Sequence, residues 1–276
     1  MSMTAQEIEA LAGRLLAAHD AGAATDPIAV SGATLSVPDA YRVLAHNLQK
    51  RIARGEAPVG WKIGFTNRTI WDEYDVHAPI WGPMYDTTVK AHDGGARAVD
   101  WRISHLHEPR IEPEIAFRMA GAPQAGMTEA DLLGCIDAVA HGFEIVQSPY
   151  KAWRFQPVDT IAAGSLHGNF VHGPWTAIGA ADRAEWLGKL SAFSLTLRRN
   201  GEIVDRGDAG NVLDGPLSAL RHFIDGLAQQ PCGHGILPGD IVTTGTVTRA
   251  FPIAAGEQWS SAIDGLPIAG LTIACV

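Results

Sequence analysis

Two glutamates, Glu112 and Glu114, lie in a segment whose residue types could bind a metal ion. The segment EPRIEPEIAF, residues 108–117, alternates charged and apolar side chains, a pattern typical of a half-buried strand. Side chains two residues apart share one face of a strand, so the two carboxylates are predicted to lie side by side. Neighbouring carboxylates repel each other unless a cation, a proton or arginines neutralise them. A hard divalent cation such as Mg²⁺ is the simplest neutraliser.

A solvated polar face beside Arg110 is the alternative interpretation of the same alternation, since charged side chains are common on edge strands. Pro113 lies between the two glutamates and cannot donate a hydrogen bond to a neighbouring strand. It therefore predicts an edge position or a β-bulge.

Two amphipathic helices are predicted before the strands begin. The first covers residues 5–19 after a Thr4–Glu7 capping box, and the second begins after Ser36 and ends near Gly55. Residues 1–56 are therefore expected to form an N-terminal helical region packed on a body formed by residues 57–276, with one structural unit overall.

Short strands dominate the sequence beyond residue 56. Lys62 is the one charge in the strand-like run 59–65, where it either faces outward or places a cation beside a pocket. Residues 79–83 suggest turns, 128–139 a helix that stops near residue 141, and 159–165 a loop. An Asn200–Gly201 turn predicts a hairpin over 191–205. The pattern is typical of an α+β fold with a mixed or antiparallel sheet.

Glu144 is a lone acid within the apolar strand predicted at residues 143–146. A buried carboxylate without a partner is costly. Glu144 therefore needs a cation, a hydrogen-bond donor or an outward direction.

The composition excludes several classes of protein. The chain has 276 residues, of which 46% are hydrophobic and 18% charged, and a net charge of −9. These values describe a globular protein and argue against general binding to nucleic acids or acidic membranes. Three cysteines without a CxxC pair, no signal-peptide pattern and no membrane-length apolar run predict a soluble, cytoplasmic protein.

Several common catalytic motifs are absent from the sequence. It contains no GxGxxG after a strand, no Walker A motif, no GxSxG and no HExxH. His105 and His107 precede the two glutamates and could contribute to a site, although a turn or core role suits them better. Dinucleotide, nucleotide and serine-hydrolase chemistry therefore lack support.

Five motifs in order resemble the 2-keto-4-pentenoate hydratase and 4-oxalocrotonate decarboxylase group of the fumarylacetoacetate hydrolase superfamily. They are residues 60–66 (GWKIGFT), 111–117 (IEPEIAF), Glu144 in its apolar strand, 159–162 (DTIA), and 239–246 (GDIVTTGT). The resemblance runs from about Tyr41 to the C-terminus and implies a mixed β-roll with bound Mg²⁺ or Mn²⁺.

The resemblance also implies roles for individual residues. It assigns the metal to Glu112, Glu114 and Glu144, and makes Lys62 a catalytic lysine of the pocket. Asp159 matches a recurrent acid that orients water, a lysine or a metal ligand. The resemblance places Thr246 at the substrate end of the pocket.

The function implied is that of a divalent-metal-dependent lyase of aromatic catabolism. Such an enzyme hydrates or decarboxylates small 2-oxo-enoic (2-hydroxydienoic) acids through a metal-stabilised enolate, and is expected to be a homo-oligomer. Two positions depart from the hydratase pattern. Ile80 occupies a place where hydratases often carry an acid, and Ala163–Gly164 replaces a more polar pair.

Two alternative functions stay open at this point. One is a C–C hydrolase of acylpyruvates, in which Glu73 and His77 activate water if residues 66–78 are helical. The other is a non-catalytic member of the superfamily that binds a metal or a dicarboxylate.

Overall fold

A computed structural model of the chain describes residues 2–28, 35–68, 71–74, 76–93, 98–230 and 235–276. Within these ranges the helices are short except at the N-terminus and near residue 220. Their bounds are α1 Ala5–Ala21, α2 Val37–Ala53, α3 Trp71–Tyr74, α4 Glu129–Gly134, α5 Pro157–Ala162, α6 Arg183–Leu190 and α7 Pro216–Gln229.

Fourteen strands in the described ranges form two mixed sheets. They are β1 Pro58–Gly64, β2 Ile80–Tyr85, β3 Val89–Ala91, β4 Val99–Trp101, β5 Arg110–Met119, β6 Ile136–Val146, β7 His167–His172, β8 Thr176–Ala177, β9 Ser194–Arg199, β10 Glu202–Asp208, β11 Ile241–Thr246, β12 Phe251–Pro252, β13 Gln258–Asp264 and β14 Thr272–Cys275. The larger sheet has the order β2-β1-β11-β5-β6-β7-β3, with β12 beside β5 and β8 beside β6, and the smaller has the order β10-β9-β13-β14-β4. Three strand pairs, β1 with β11, β3 with β7 and β4 with β14, are parallel. The predicted α+β class with a mixed sheet is confirmed.

The N-terminal helices begin where the sequence predicts. Thr4 and Glu7 form the capping box of α1, and Ser36 caps α2 by accepting a hydrogen bond from the backbone of Asp39. Tyr41 of α2 stacks on Trp81 of β2 with ring centroids 4.6 Å apart, so the helical region contacts the strands that follow it. A division of the chain at residue 56 stays a prediction.

Strand β5 lies inside the larger sheet, so of the two alternatives predicted for Pro113 the edge position is wrong, whereas an irregularity of the β-bulge kind is present beside it. β11 pairs with one side of β5 and β6 with the other, and Pro113 itself is opposite Phe143. The register of β11 against β5 shifts between Thr243 and Thr246, close to this proline. The irregular pairing accommodates a residue that has no N–H to donate.

Residues 136–146 form strand β6, so the helix predicted over residues 128–139, with its stop near residue 141, is wrong beyond residue 134. Helix α4 ends at Gly134, and β6 runs from Ile136 with nearly every side chain buried. Both faces of this strand are covered, so its apolar side chains show no period-2 alternation, and spacings of three and four arise by chance.

Other short elements also differ from the sequence prediction. Residues 80–85 form strand β2 where turns were predicted, and residues 157–162 form helix α5 where a loop was predicted. The predicted hairpin is confirmed as β9 and β10. Asn200 and Gly201 both adopt positive φ in its turn, at 52° and 88°.

In the described ranges no helix has both the length and the apolar character needed to cross a membrane. Cys135 and Cys275 are free thiols, whereas Cys232 lies outside the described residues.

Candidate metal centre

The three glutamates singled out in the sequence converge on two paired strands. Glu112 of β5 is directly opposite Glu144 of β6, and Glu114 follows two residues along on the same face of β5. One carboxylate oxygen from each residue lies within 4.8 Å of the other two. Glu114 and Glu144 are fully buried, and Glu112 is partly exposed. This arrangement replaces the solvated polar face considered for the strand.

Lys62 points into the same interior, which excludes the outward-facing alternative. Its Nζ lies 3.1 Å from Glu144 Oε2 and donates a hydrogen bond of 3.1 Å to the carbonyl oxygen of Ser165. Strands β1 and β6 are separated by β11 and β5, which would place them about 14 Å apart in a flat sheet. The sheet therefore curls, as a β-roll requires, and the lysine reaches across its interior.

Glu114 is held by backbone contacts from two directions. Its Oε2 accepts a hydrogen bond of 2.8 Å from the backbone N–H of Gly245. A side chain at Gly245 would collide with Thr66, so this close approach requires glycine. On the other side, His141 Nδ1 donates to the Glu114 carbonyl oxygen at 2.9 Å, and His141 Nε2 lies 2.7 Å from Ser261 Oγ.

Glu144 is oriented by a buried histidine. His167 Nδ1 donates to Glu144 Oε1 at 2.8 Å, and its Nε2 lies 2.9 Å from Thr88 Oγ1. Burial lowers the pKa of His167, which keeps the ring neutral. Hydrogen bonds of this kind, from a carboxylate through a histidine to a hydroxyl group, orient the side chains that bind metal ions.

Burial and neighbouring charges shift the pKa values of the three glutamates in different directions. Burial, together with the charge of Glu144, raises the pKa of Glu112 to about 7 and that of Glu114 well above its ordinary value. Burial also acts on Glu144, but Lys62 and His167 hold its pKa below the ordinary value. For Lys62, burial acts to lower the pKa, but the charges of the three glutamates outweigh it and raise the pKa above its ordinary value, so the amine stays charged.

The donor set fits a hard divalent cation. Glu114 Oε1 is buried and accepts no hydrogen bond from any described residue, whereas Oε2 accepts the backbone N–H of Gly245. A single lysine does not balance three carboxylates, and oxygen ligands are those that Mg²⁺ and Mn²⁺ prefer. Glu112, Glu114 and Glu144 could together hold such an ion.

The stabilisation that Mg²⁺ gives the protein is expected to grow as the pH rises through about 7. Protons on Glu112 and Glu114 must leave before a cation binds, and the raised pKa values place that loss near neutrality and above. Stabilisation by a ligand increases with its affinity. Melting temperatures measured with Mg²⁺ and with EDTA, from about pH 6 to about pH 8, give the difference directly. The buried histidines titrate both with Mg²⁺ and with EDTA, so their contribution to the melting temperature largely cancels from the difference.

A Glu112→Gln variant provides the control for this pH dependence. It removes one of the two proton-binding carboxylates, so the difference between the two melts should depend less steeply on pH. A difference that stays constant across the range in the unmodified protein would contradict the expectation.

A pocket of about 250 Å³ contains Lys62 and Glu112 in its wall. Most of the exposed wall of the pocket is apolar, although polar side chains are about as numerous as apolar ones. The apolar set includes Ile63, Phe65, Ile80, Val146, Phe155 and Leu166, and the other polar or aromatic members are Thr66, Asn67, Arg110, Trp153, Ser165, Thr246, Thr248 and Arg249. Polar side chains set in a largely apolar cavity wall are typical of a small-molecule site.

Thr246 and Asp159 occupy different places relative to this pocket. Thr246 lines it, with Oγ1 donating to the carbonyl oxygen of Thr248 at 2.9 Å. Asp159 is fully buried, and its carboxylate accepts the backbone N–H groups of Ile28 and Gln156 at 3.0 and 2.8 Å. Asp159 is not among the residues that line the pocket. A part for it in the reaction stays a prediction.

The remaining sequence candidates lie away from the carboxylates. His105 contacts Asn169, and His107 Nδ1 donates to the carbonyl oxygen of Ser148. Helix α3 ends at Tyr74, so His77 does not share a helix with Glu73, whose side chain lies outside the described residues.

Four residues at the site were not assigned there from the sequence. His141, His167 and Ser165 support or line it, and Arg110 lines the pocket instead of a solvated face. A histidine within an apolar strand indicates that a buried partner exists, because an unpaired imidazole is costly there. The identity of the partner depends on strand pairing, which the local sequence does not determine.

The curled mixed sheet and its three clustered carboxylates have the features of a protein that could bind a divalent metal ion through glutamate side chains. A family model described as fumarylacetoacetate (FAA) hydrolase C-terminal matches residues 70–274. The chain therefore belongs to the fumarylacetoacetate hydrolase family.

Relatives place the chain in the hydratase and decarboxylase group of that family. It is 30% identical to 2-hydroxyhexa-2,4-dienoate hydratase of Comamonas testosteroni, over 95% of each chain. It is 28% identical to a 4-oxalocrotonate decarboxylase of Pseudomonas sp., over 91% of each chain. A solved structure of 4-oxalocrotonate decarboxylase from Pseudomonas putida G7, complexed with magnesium and adipate, matches with a TM-score of 0.89 and 25% identity. That match covers 100% of this chain and 99% of the other.

Proposed function

We propose that this protein is a divalent-metal-dependent lyase acting on 2-oxo-enoic acids, as a hydratase or a decarboxylase. The observation that carries the proposal is the cluster of Glu112, Glu114 and Glu144 with Lys62 3.1 Å from Glu144, beside a largely apolar pocket. The relatives, named as hydratases and decarboxylases of such acids, support the same chemistry.

The cation and the lysine would stabilise one developing negative charge. A bound Mg²⁺ or Mn²⁺, held by the three glutamates, supplies a Lewis acid for the carboxylate and keto oxygens of a 2-oxo acid. Lys62 places a fixed positive charge beside the same oxygens and can hold or move a proton at Nζ. Both reactions pass through an enolate, so both require these groups.

The pocket wall bears on the choice between the two reactions. Ile80 is buried and lines the pocket, at the place where hydratases often carry an acid. Among the described residues, the only acid lining the pocket is Glu112, which is assigned to the metal. Hydration needs a group to protonate a distal carbon and to deliver water, whereas loss of CO₂ does not. The residues that line the pocket therefore favour decarboxylation over hydration.

The two alternative functions receive less support. Helix α3 covers only four residues, so the helical spacing proposed for a Glu73–His77 pair of an acylpyruvate hydrolase is not present. A purely binding function would not need Lys62 buried against the ligand set.

An ultraviolet assay with Mg²⁺ tests the proposed function. Purified protein is offered 2-hydroxypenta-2,4-dienoate and, separately, 4-oxalocrotonate, with identification of the products. Release of CO₂ from 4-oxalocrotonate would establish the decarboxylase, and formation of a 4-hydroxy-2-oxo acid from the dienoate would establish the hydratase. Inertness of the Mg²⁺-loaded protein towards both would reject the lyase proposal.

The cellular setting is part of the same proposal. Few cysteines and no CxxC pair suit a reducing cytoplasm, and the family resemblance suggests a homo-oligomer. Light scattering of the purified protein would test the oligomeric state.

A further inference from the structure

Thr243 carries a hydroxyl group without a hydrogen-bond partner among the described residues. The residue lies on β11 and is fully buried, and its Oγ1 makes no hydrogen bond to any of them. A hydroxyl group buried in this way is costly, so its surroundings must explain it. The next residue shows the usual arrangement, because Thr244 is equally buried and its Oγ1 donates to the carbonyl oxygen of Ile115 at 3.0 Å.

The register of the sheet places Thr243 on the face that carries the glutamates. It is paired with Ala116 of β5 on one side and with Lys62 of β1 on the other. Glu114 lies two residues from Ala116, hence on the same face of β5, and its carboxylate reaches β11 to accept the Gly245 N–H. Diagonal neighbours in a sheet are about 7–8 Å apart, within reach of a long side chain. The Thr243 hydroxyl group therefore lies beside the carboxylate cluster.

The two residues paired with Thr243 do not bond its hydroxyl group. Ala116 has no polar atom in its side chain. The ammonium group of Lys62 is directed to Glu144 Oε2 and to the carbonyl oxygen of Ser165, each at 3.1 Å. The side chains packed around Ala116 are apolar, and include Met84, Phe170 and Ile241. The carboxylate cluster, with what it binds, is thus the polar surrounding of this hydroxyl group.

The chemistry of the cation provides a partner. Mg²⁺ prefers octahedral coordination by oxygen and gives up its bound water reluctantly, so it usually keeps water ligands in a protein site. With one oxygen from each of the three glutamates and two from a 2-oxo acid, an octahedral ion keeps a position for water. A water molecule bound to a cation is polarised and is therefore a strong hydrogen-bond donor.

We propose that Thr243 is a positioning residue of the metal centre, and that its hydroxyl group accepts a hydrogen bond from a water ligand of the bound cation. The inference rests on the proposed function, because it requires a cation at the three glutamates. The cost of burying the hydroxyl group is then offset when the ion binds. A hydrogen bond of this kind orients the ligands and strengthens binding of the ion.

Replacement of Thr243 by valine tests the inference, because valine has nearly the same shape without the hydroxyl group. Calorimetric titration should show an affinity for Mg²⁺ about 10- to 100-fold below that of the unmodified protein. The melting temperature in EDTA should rise, because a buried hydroxyl group without a partner has been removed. Thr243→Ser keeps the hydroxyl group and should keep most of the affinity for Mg²⁺. A residue needed only for packing would lower the melting temperature both with and without the metal.

Thr244→Val is the matched control, because it makes the same change at the next residue, where the hydroxyl group is bonded to a backbone carbonyl oxygen. It should lower the melting temperature in EDTA and change the affinity for Mg²⁺ little. A crystal structure of the Mn²⁺-loaded protein provides a direct readout. It should show a water molecule that is bound to the ion and lies about 2.7–2.8 Å from Thr243 Oγ1.

The possible results separate this inference from the proposed function. An affinity for Mg²⁺ that is unchanged in Thr243→Val, or a Thr243→Val protein that melts earlier in EDTA or does not fold, would overturn the inference and leave the lyase proposal intact. Failure of the unmodified protein to bind Mg²⁺ would reject both.

Discussion

Replacement of Glu114 by glutamine is expected to abolish lyase activity and to weaken Mg²⁺ binding by at least about 100-fold. The Gly245 N–H already occupies one carboxylate oxygen of Glu114, and a glutamine carbonyl oxygen can keep that bond. The amide nitrogen then takes the place of Oε1, the buried oxygen without a hydrogen-bond partner. An amide N–H₂ group has no lone pair to offer a cation, so one ligand is lost while the backbone contacts remain.

The same substitution is expected to leave the metal-free fold as stable as before, or more stable. Burial and two neighbouring glutamates raise the pKa of Glu114 well above its ordinary value, because its charged form is disfavoured there. A neutral amide avoids that cost. The melting temperature in EDTA should therefore stay the same or rise, whereas the increase produced by Mg²⁺ in the unmodified protein should be lost.

Calorimetric titration with Mg²⁺, steady-state kinetics and melting curves in EDTA together test this prediction. Glu202→Gln provides a control, because it makes the same chemical change at an exposed strand position of β10. Activity close to normal in metal-depleted Glu114→Gln would exclude a metal-dependent reaction at this residue. A large loss of melting temperature in EDTA would show that Glu114 has a structural role that the proposed centre does not require.

The local sequence was sufficient to predict structure where the interacting residues are close together in the chain. Alternation along residues 108–117 placed Glu112 and Glu114 on one face, and the structure confirms that spacing. The Thr4–Glu7 capping box and the Asn200–Gly201 turn also formed as predicted. In each case the interacting groups are within four residues of one another, so the conformational preferences of these residues and their local hydrogen bonds determine the structure that forms.

Contacts between distant strands could not be derived in this way. The pairing of Glu144 with His167 depends on the antiparallel register of β6 and β7, and Lys62 reaches Glu144 only because the sheet curls. The predicted helix was wrong from residue 136 onward because both faces of β6 are buried, which removes the alternation that marks a strand. The family resemblance assigned Glu144 to the metal and Lys62 to the pocket, which the residues alone left open. The structure brings these two side chains together, and their roles stay predictions.

Replacement of Lys62 by methionine is expected to separate catalysis from metal binding. Methionine fills much of the same volume without a charge or a proton to transfer. The turnover number should fall about 1,000-fold, in the range found for the loss of a positioned acid–base or electrostatic group. The affinity for Mg²⁺ should be unchanged or higher, because one positive charge beside the three glutamates has been removed.

Stability provides a further readout for Lys62→Met. The lysine pairs with fully buried Glu144, and removal of one partner of a buried ion pair is strongly destabilising. The melting temperature in EDTA should therefore fall, and Mg²⁺ should recover most of the loss by supplying a replacement positive charge to Glu144.

Lys90→Met, at an exposed position of β3, should change none of these quantities. Equal losses of turnover and of Mg²⁺ affinity in Lys62→Met would instead indicate that the lysine only maintains the shape of the centre. Loss of turnover with Mg²⁺ affinity retained would place Lys62 with the groups that act on the substrate, because charge balance at the glutamates alone predicts no such separation.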